Sequence, residues 1–222
     1  LEAAFRGAGA AVRAVDLVLE GEARNAFCAI RPPGHHAERD TAMGFCLFGN
    51  AALAARHALD HHGLGRVAVV DFDVHHGNGT QDLLWEERRA LVITSQQMPL
   101  WPGSGRADET GAFDNVVNIP LAPHSGGAEM RRAYEAHALP RLRAFAPELI
   151  VISAGFDAHA EDPLAQLNWN EVDFAWVTRE ICKVAAECCD GRVVSTLEGG
   201  YDLKALAASA RTHVEELMKA AT

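Results

Sequence analysis

The sequence predicts an α/β fold in which a mainly parallel sheet lies between two layers of helices, a three-layer αβα sandwich. Six short apolar runs rich in β-branched residues alternate with longer segments of helical periodicity, as in wound α/β folds. The runs are almost continuously apolar, which is typical of strands covered on both faces. The 222 residues contain no repeat, low-complexity tract or linker. We therefore expect a single domain over residues 1–222.

Each element follows from its own segment of the chain. The predicted strands cover residues 26–30, 66–72, 90–95, 115–121, 148–154 and 192–198. Helical periodicity covers residues 50–62, 127–145, 170–189 and 203–220. A further helix-like segment over 1–23 has no capping signal before it. This suggests that the chain begins inside an element and that the N-terminal part of the domain precedes Leu1.

Composition narrows the functional class. The formal net charge is -10, which argues against nucleic-acid binding and favours the approach of cationic substrates. The five cysteines form no CxxC pair, as expected in a reducing cytoplasm. No apolar run reaches the ~20 residues of a membrane span, so no membrane partner is expected. Composition does not decide between a monomer and a homo-oligomer.

Unusual polar residues follow four of the predicted strands. They occur in the segments RPPGHH, DFDVHHGNG, SAGFDAH and LEGGYD. Ligands of parallel α/β folds bind at the carboxyl ends of the strands. The sequence therefore predicts a functional site at that edge of the sheet.

The run DFDVHH carries the strongest chemical signal. In an extended segment Asp71, Asp73 and His75 share one face and could meet one cation. Asp157, after the fifth strand, is the natural third ligand beside Asp73 and His75. Such a set suits catalytic zinc, while Fe²⁺ or Mn²⁺ also accept oxygen-rich ligation. The alternative is a strand-to-helix turn in which these aspartates cap backbone groups.

His35 and His36 follow a rigid Pro-Pro-Gly turn. Held side by side, they could remove the proton of a metal-bound water and carry positive charge near an oxyanion. Each then needs a partner for its other ring nitrogen, and Asp71 and Asn78 are candidates. Two solvated loop histidines are the competing interpretation.

Aromatic residues complete the predicted site. Flanking glycines could bring the Tyr201 hydroxyl close to a substrate oxyanion. Phe45, after Gly44, and Trp101 could face each other across a slot for an alkyl chain. An ordinary turn for Tyr201 and core packing for the two rings are the alternatives.

Taken together, these motifs resemble a known family. RPPGHHAE, GFCLFGNAALAARHA, DFDVHHGNGTQ, SAGFDAHAEDP and LEGGY occur in the order seen in the zinc-dependent histone deacetylase superfamily, with wording most similar to its class II and bacterial deacetylase-like members. The resemblance runs from about Arg31 to Tyr201. It implies the arginase/deacetylase fold and zinc-dependent hydrolysis of N-acetyl amides.

The resemblance also assigns roles to individual residues. The implied zinc ligands are Asp73, His75 and Asp157. The implied catalytic groups are His35 and His36 with their partners Asp71 and Asn78, and Tyr201, which would polarise the carbonyl. The implied substrate tunnel is lined by Gly44, Phe45, Trp101 and Leu164. A structural K⁺ site would map to Asp71, Asp73, His75, Thr94 and Ser95.

Two positions bear on the substrate. Trp101 replaces the more usual Phe or Tyr of the tunnel, which could narrow it. Leu164 matches lysine deacetylases, whereas an acidic residue there accompanies polyamine deacetylation. We therefore expect acetyl-lysine in a peptide or protein, with acetylpolyamine or another small acylated amine as the alternative. A non-catalytic acyl-binding or scaffold fragment is a third hypothesis, because the first strand and loops of the family would precede Leu1.

Overall fold

A six-stranded sheet forms the centre of the molecule. The computed structural model describes all residues 1–222. The strands are β1 (Asn25–Cys28), β2 (Val67–Asp71), β3 (Ala90–Gln97), β4 (Val116–Leu121), β5 (Leu149–Ala154) and β6 (Val193–Leu197). All neighbours are parallel, in the order β1-β6-β5-β2-β3-β4. The predicted parallel sheet is confirmed, and every predicted strand lies within a few residues of its position.

Seven α-helices connect and cover the strands. They are α1 (Glu2–Leu19), α2 (Asn50–Asp60), α3 (Asn78–Leu84), α4 (Gly127–Ala133), α5 (Leu139–Phe145), α6 (Glu171–Cys189) and α7 (Leu203–Ala220). No helix has the length and apolar character needed to cross a bilayer.

The alternation of side chains along β2 divides the core into two layers. Val67 and Val69 pack with α1 and α2 in one apolar cluster. Ala68 and Val70 point the other way, into a larger cluster that includes α4, α6 and the end of α7. Helices therefore cover both faces, as the continuous apolar runs predicted.

Two helical segments differ from the prediction. Residues 127–145 were predicted as one helix, but a π-helical turn at Tyr134–Ala138 separates α4 from α5. Pro140 follows this turn and has no N–H to donate to the helical ladder, which accounts for the irregularity. The sequence did not predict α3, whose first residue, Asn78, belongs to the Asn-Gly pair that also suits a tight turn.

Candidate active site

The segment after β2 turns sharply instead of continuing as a strand. β2 ends at Asp71, one residue before the predicted boundary. Asp71 Oδ1 accepts a hydrogen bond from the backbone N–H of Asp73 at 3.0 Å, and Asp73 Oδ1 accepts one from that of His75 at 2.9 Å. The aspartates thus do stabilise the turn, as the alternative interpretation proposed. The same turn leads Asp73 and His75 toward one point.

Asp73, His75 and Asp157 converge at the carboxyl edge of the sheet. Nδ1 of His75 lies 3.0 Å from Oδ2 of Asp157 and 3.2 Å from Oδ1 of Asp73. The ligand atoms of all three residues lie within 4.8 Å of one another, and all three residues are buried. Gly199 closes the cluster, because a Cβ there would collide with both carboxylates. Its N–H donates to Oδ2 of Asp73 at 2.8 Å.

The chemistry of this donor set fits a divalent metal. The cluster contains two buried carboxylates and one imidazole. No lysine or arginine forms an ion pair with either carboxylate. Burial, together with the charge of Asp73, raises the pKa of Asp157 to about 7. Zn²⁺ commonly binds three such N and O ligands and leaves one position open. The three predicted ligands therefore fit a divalent metal, and zinc stays a prediction.

The tandem histidines lie beside this cluster with different partners. Their ring centroids are 3.9 Å apart. Nδ1 of His35 is 2.9 Å from Oδ2 of Asp71, and Nδ1 of His36 is 2.8 Å from Oδ1 of Asn78. Both pairs were predicted, and both histidines are buried. The solvated-loop interpretation is therefore wrong.

The two imidazoles have opposite electrostatic surroundings. Burial would lower the pKa of His35, but the carboxylates of Asp73 and Asp71 outweigh it and raise this pKa well above the usual value. Burial lowers the pKa of His36 to about 3, and neighbouring His35 acts in the same direction. The carboxylates beside His35 thus favour its charged form, whereas the surroundings of His36 favour the neutral ring.

A narrow cavity leads from the surface to these groups. Its volume is about 320 Å³. It is lined by His36, Gly44, Phe45, His75, Leu100, Trp101, Leu164 and Tyr201. Phe45, Trp101 and Leu164 stay substantially exposed at its rim, so they line an opening and are not core residues. The structure thus brings all the predicted tunnel residues together.

The loop of Gly44 needs glycine for two reasons. Gly44 has φ +53°, and a Cβ there would collide with the rings of His36 and Trp101. These two rings lie 4.6 Å apart. The glycine therefore allows the loop to approach the base of the cavity.

Tyr201 enters the cavity from the loop after β6. Its ring centroid is 6.0 Å from that of Phe45. Oδ2 of Asp162 accepts its backbone N–H at 2.7 Å, and the Arg31 guanidinium lies 5.6 Å from the ring centroid. Burial raises the pKa of its hydroxyl, so the phenol stays protonated and able to donate.

Sequence reasoning missed two positioning residues. Oε2 of the fully buried Glu198 accepts the backbone N–H groups of Gly34 and His35 at 2.7 and 3.1 Å. Asp162 anchors Tyr201 as described. Glu198 was visible as the acidic residue of LEGGY, and Asp162 as the second of the two acidic residues of AHAEDP, but neither segment indicates its distant partner.

The residues of the predicted K⁺ site lie near each other but are engaged elsewhere. Thr94 is in register with Asp71 on the neighbouring strand. Its hydroxyl donates to Oε1 of Gln96 at 3.0 Å, and the Ser95 hydroxyl lies 2.8 Å from that of Tyr134. The K⁺ site stays a prediction.

Comparisons with known proteins agree with this geometry. Residues 1–217 match the histone deacetylase domain family. The chain belongs to the histone deacetylase family. Its fold is the arginase/deacetylase fold: the crystal structure of the HDA15 HD domain superimposes with a TM-score of 0.93 at 36% identity, covering 98% of this chain and 62% of that one.

Relatives of the family come from different kinds of organism. Histone deacetylase 10, chloroplastic, of Oryza sativa subsp. japonica is 43% identical over 210 residues, covering 91% of this chain and 47% of that protein. The histone deacetylase-like amidohydrolase of Pseudomonas aeruginosa is 43% identical over 206 residues, covering 90% and 54%. The chain thus spans about half the length of these relatives. Because one of them is chloroplastic, the cytoplasmic location stays a prediction.

Proposed function

We propose that the protein hydrolyses N-acetyl amides, with acetyl-lysine of peptides or proteins as the substrate class. One observation carries the proposal: a cavity lined mainly by apolar side chains ends at three side chains of metal-ligand type, a partnered imidazole and a tyrosine. Family membership supports the same reaction. The cavity admits an extended alkylamide more readily than a folded chain, because its volume is about 320 Å³.

A Zn²⁺ ion held by Asp73, His75 and Asp157 would supply Lewis-acid polarisation of the acetyl carbonyl and acidify a water molecule toward a pKa of about 7. The chain itself supplies proton transfer and oxyanion stabilisation. His36 lines the cavity and His35 does not, so His36 is the general base. Its Nε2 takes the proton of the attacking water as the water oxygen bonds to the acetyl carbon.

The remaining steps use the neighbouring groups. The Tyr201 hydroxyl donates to the carbonyl oxygen as negative charge develops there. The carbon–nitrogen bond then breaks, the amine nitrogen receives a proton from the imidazolium, and acetate and the free amine leave. His35 is hydrogen-bonded to Asp71 and lies beside His36 without lining the cavity, so we assign it a supporting electrostatic role.

The walls of the cavity favour acetyl-lysine over acetylpolyamine. Leu164 is 46% exposed at the mouth and offers no anionic partner for a second amine. Acidic side chains at the mouth would attract a polyamine, whereas Phe45 and Trp101 present apolar rings to an alkyl chain. A second candidate function, deacetylation of small acylated amines, keeps the same chemistry.

The test is side-by-side turnover of an acetyl-lysine peptide and an acetylpolyamine by the zinc-loaded protein. We expect the peptide to be preferred, and Leu164→Glu to shift the ratio toward the polyamine. Leu53→Glu, at an exposed leucine outside the cavity, is the matched control and should leave the ratio unchanged. Preference for the polyamine by the native chain would contradict the substrate assignment. Binding of the peptide without acetate release would instead support a scaffold.

A further inference from the structure

A second group of histidines lies at the far end of α2 from the candidate active site. His57, His61 and His62 fall at the last turn of this helix and just beyond it. The first residue of α2, Asn50, lies against Gly34 in the loop of the tandem histidines. Because α2 runs away from that loop for 11 residues, this group belongs to the opposite, amino-terminal edge of the sheet.

The three imidazoles form one compact cluster. His57 and His61, one helical turn apart, stack with centroids 4.7 Å apart and an interplanar angle of 10°. The ring centroid of His62 lies 5.1 Å from that of His57 and 5.0 Å from that of His61, and its ring plane is nearly perpendicular to both. One ring nitrogen of each lies within 4.8 Å of those of the other two. This spacing brings three imidazoles within reach of a common ion, which they can bind once His57 and His61 rotate out of their stack so that the lone pairs converge.

A carboxylate from α1 contacts two of the three histidines. Nε2 of His57 and Nε2 of His62 lie 2.6 and 2.9 Å from the same atom, Oδ1 of Asp16. These three side chains are about four-fifths buried, at 20%, 17% and 22% exposure. Arg13 approaches the other oxygen of Asp16 only at 4.0 Å and is exposed. The nitrogens of His57 and His62 therefore converge on one partly buried oxygen between the two helices.

An ion pair that ties α1 to α2 would need only one of these histidines. The third ring, His61, is exposed and stacks on His57 without contributing to that pair. Three imidazoles, however, supply three of the four ligands of a tetrahedral site, and Asp16, in contact with two of them, is the neighbouring oxygen that can supply the fourth. Nitrogen-rich sets of this kind suit Zn²⁺, Co²⁺, Ni²⁺ and Cu²⁺ over Mg²⁺ or Ca²⁺.

We propose that His57, His61, His62 and Asp16 form a second, structural site for a divalent transition-metal ion, with Zn²⁺ as its natural probe. The ion joins α1 to the end of α2. Binding replaces the ring protons that His57 and His62 direct at Asp16, which move to Nδ1 or to solvent. This site is separate from Asp73, His75 and Asp157 and does not depend on the proposed deacetylase activity.

The experiment is calorimetric titration of the metal-stripped full chain with Zn²⁺. We expect about two equivalents to bind. Asp157→Ala should remove one equivalent and leave the other. His61→Ala should weaken the remaining site about tenfold or more, and it disturbs little because His61 is exposed. His137→Ala, an exposed helical histidine outside both groups, is the matched control and should leave both equivalents intact.

Thermal unfolding gives a second readout. In the Asp157→Ala background, saturating Zn²⁺ should raise the unfolding midpoint by about 5 °C or more, and addition of His61→Ala should abolish the shift. A single equivalent in the native chain, or a second one insensitive to His61→Ala, would overturn the proposal. If Asp157→Ala does not fold, the zinc-induced shifts of the native chain and of His61→Ala are compared instead. Neither zinc stoichiometry nor the unfolding midpoint depends on turnover, so both tests remain valid if the protein releases no acetate.

Discussion

His36 and Asn78 are joined by a 2.8 Å hydrogen bond between Nδ1 of the ring and Oδ1 of the amide. The amide nitrogen of Asn78 donates to the carboxylate of Glu38 at 2.7 Å, which fixes the orientation of the amide. Nδ1 of His36 must therefore carry the proton. Its Nε2 keeps a free lone pair, as a general base requires.

Asn78→Ala should lower kcat by about 10- to 100-fold and leave KM for the acetyl-lysine peptide nearly unchanged. The reason is that Asn78 orients His36 but does not line the cavity. Steady-state kinetics of the single and double variants test this. In a His36→Ala background, Asn78→Ala should have little further effect on kcat. Fully additive losses would show that Asn78 acts by another route.

Tyr201→Phe should reduce kcat by about 10²- to 10³-fold, because it removes one donor to the developing oxyanion. The ring and its contact with Phe45 remain, so the cavity keeps its shape. Zn²⁺ bound at the Asp157 cluster should be unaffected, since Tyr201 is not among the ligand group. Acetate release and bound zinc are measured on the same samples. Unchanged turnover would exclude the hydroxyl from the reaction.

Glu198→Ala should destabilise the fold by about 2–4 kcal/mol, because it leaves two buried N–H groups, those of Gly34 and His35, without an acceptor. In a chain of this size the loss corresponds to a fall of about 5–10 °C in Tm. Glu198→Gln retains an acceptor oxygen, and its amide can face the Ser153 hydroxyl. We therefore expect a clearly smaller loss. Equal losses in the two variants would argue against this role of the carboxylate.

His213 should make the fold sensitive to acid. Burial lowers its pKa from 6.5 to about 3. The Thr178 hydroxyl donates to the Phe174 carbonyl at 2.7 Å and thus accepts from Nδ1 of His213, while Nε2 lies 2.9 Å from the Ser195 hydroxyl. The fold therefore holds the neutral ring, and the unfolded chain binds the proton more readily.

Because of this difference in proton binding, the free energy of unfolding decreases as the pH falls. Above about pH 6.5 the ring of His213 is neutral in both the folded and the unfolded chain, so it does not change the free energy of unfolding. Between pH 6.5 and 3 the unfolded chain binds a proton that the folded chain does not, and the free energy of unfolding falls by up to about 1.4 kcal/mol per pH unit. In His213→Gln this part of the slope should vanish, whereas the slope due to carboxyl groups remains. Denaturant unfolding at several pH values measures both. Parallel curves for the two chains would contradict the prediction.

Much of the sheet could be predicted because its strands are covered on both faces. The apolar runs at residues 66–72 and 148–154 identify β2 and β5 almost to the residue, since buried parallel strands tolerate few polar side chains. The alternation of Asp71, Asp73 and His75 correctly indicated a shared direction. The sequence analysis attributed this direction to a continuing strand. In the structure, hydrogen bonds within the turn orient these side chains instead.

Other features depend on contacts between distant segments. Glu198 meets Gly34 across 164 positions of sequence, and nothing in LEGGY specifies that partner. Asp16 and His62 likewise meet only because α1 packs on α2. The adjacent pair His61-His62 is visible in the sequence, but its grouping with His57 and Asp16 depends on that packing.

The most direct test of the account is acetate release from an acetyl-lysine peptide, measured against zinc bound at the Asp157 cluster. We predict that release rises in proportion to zinc at this cluster and is lost in Asp157→Ala. Circular dichroism should show this variant folded. His137→Ala, at an exposed histidine outside both clusters, should keep full activity. Acetate release by folded Asp157→Ala equal to that of the native chain would contradict the account.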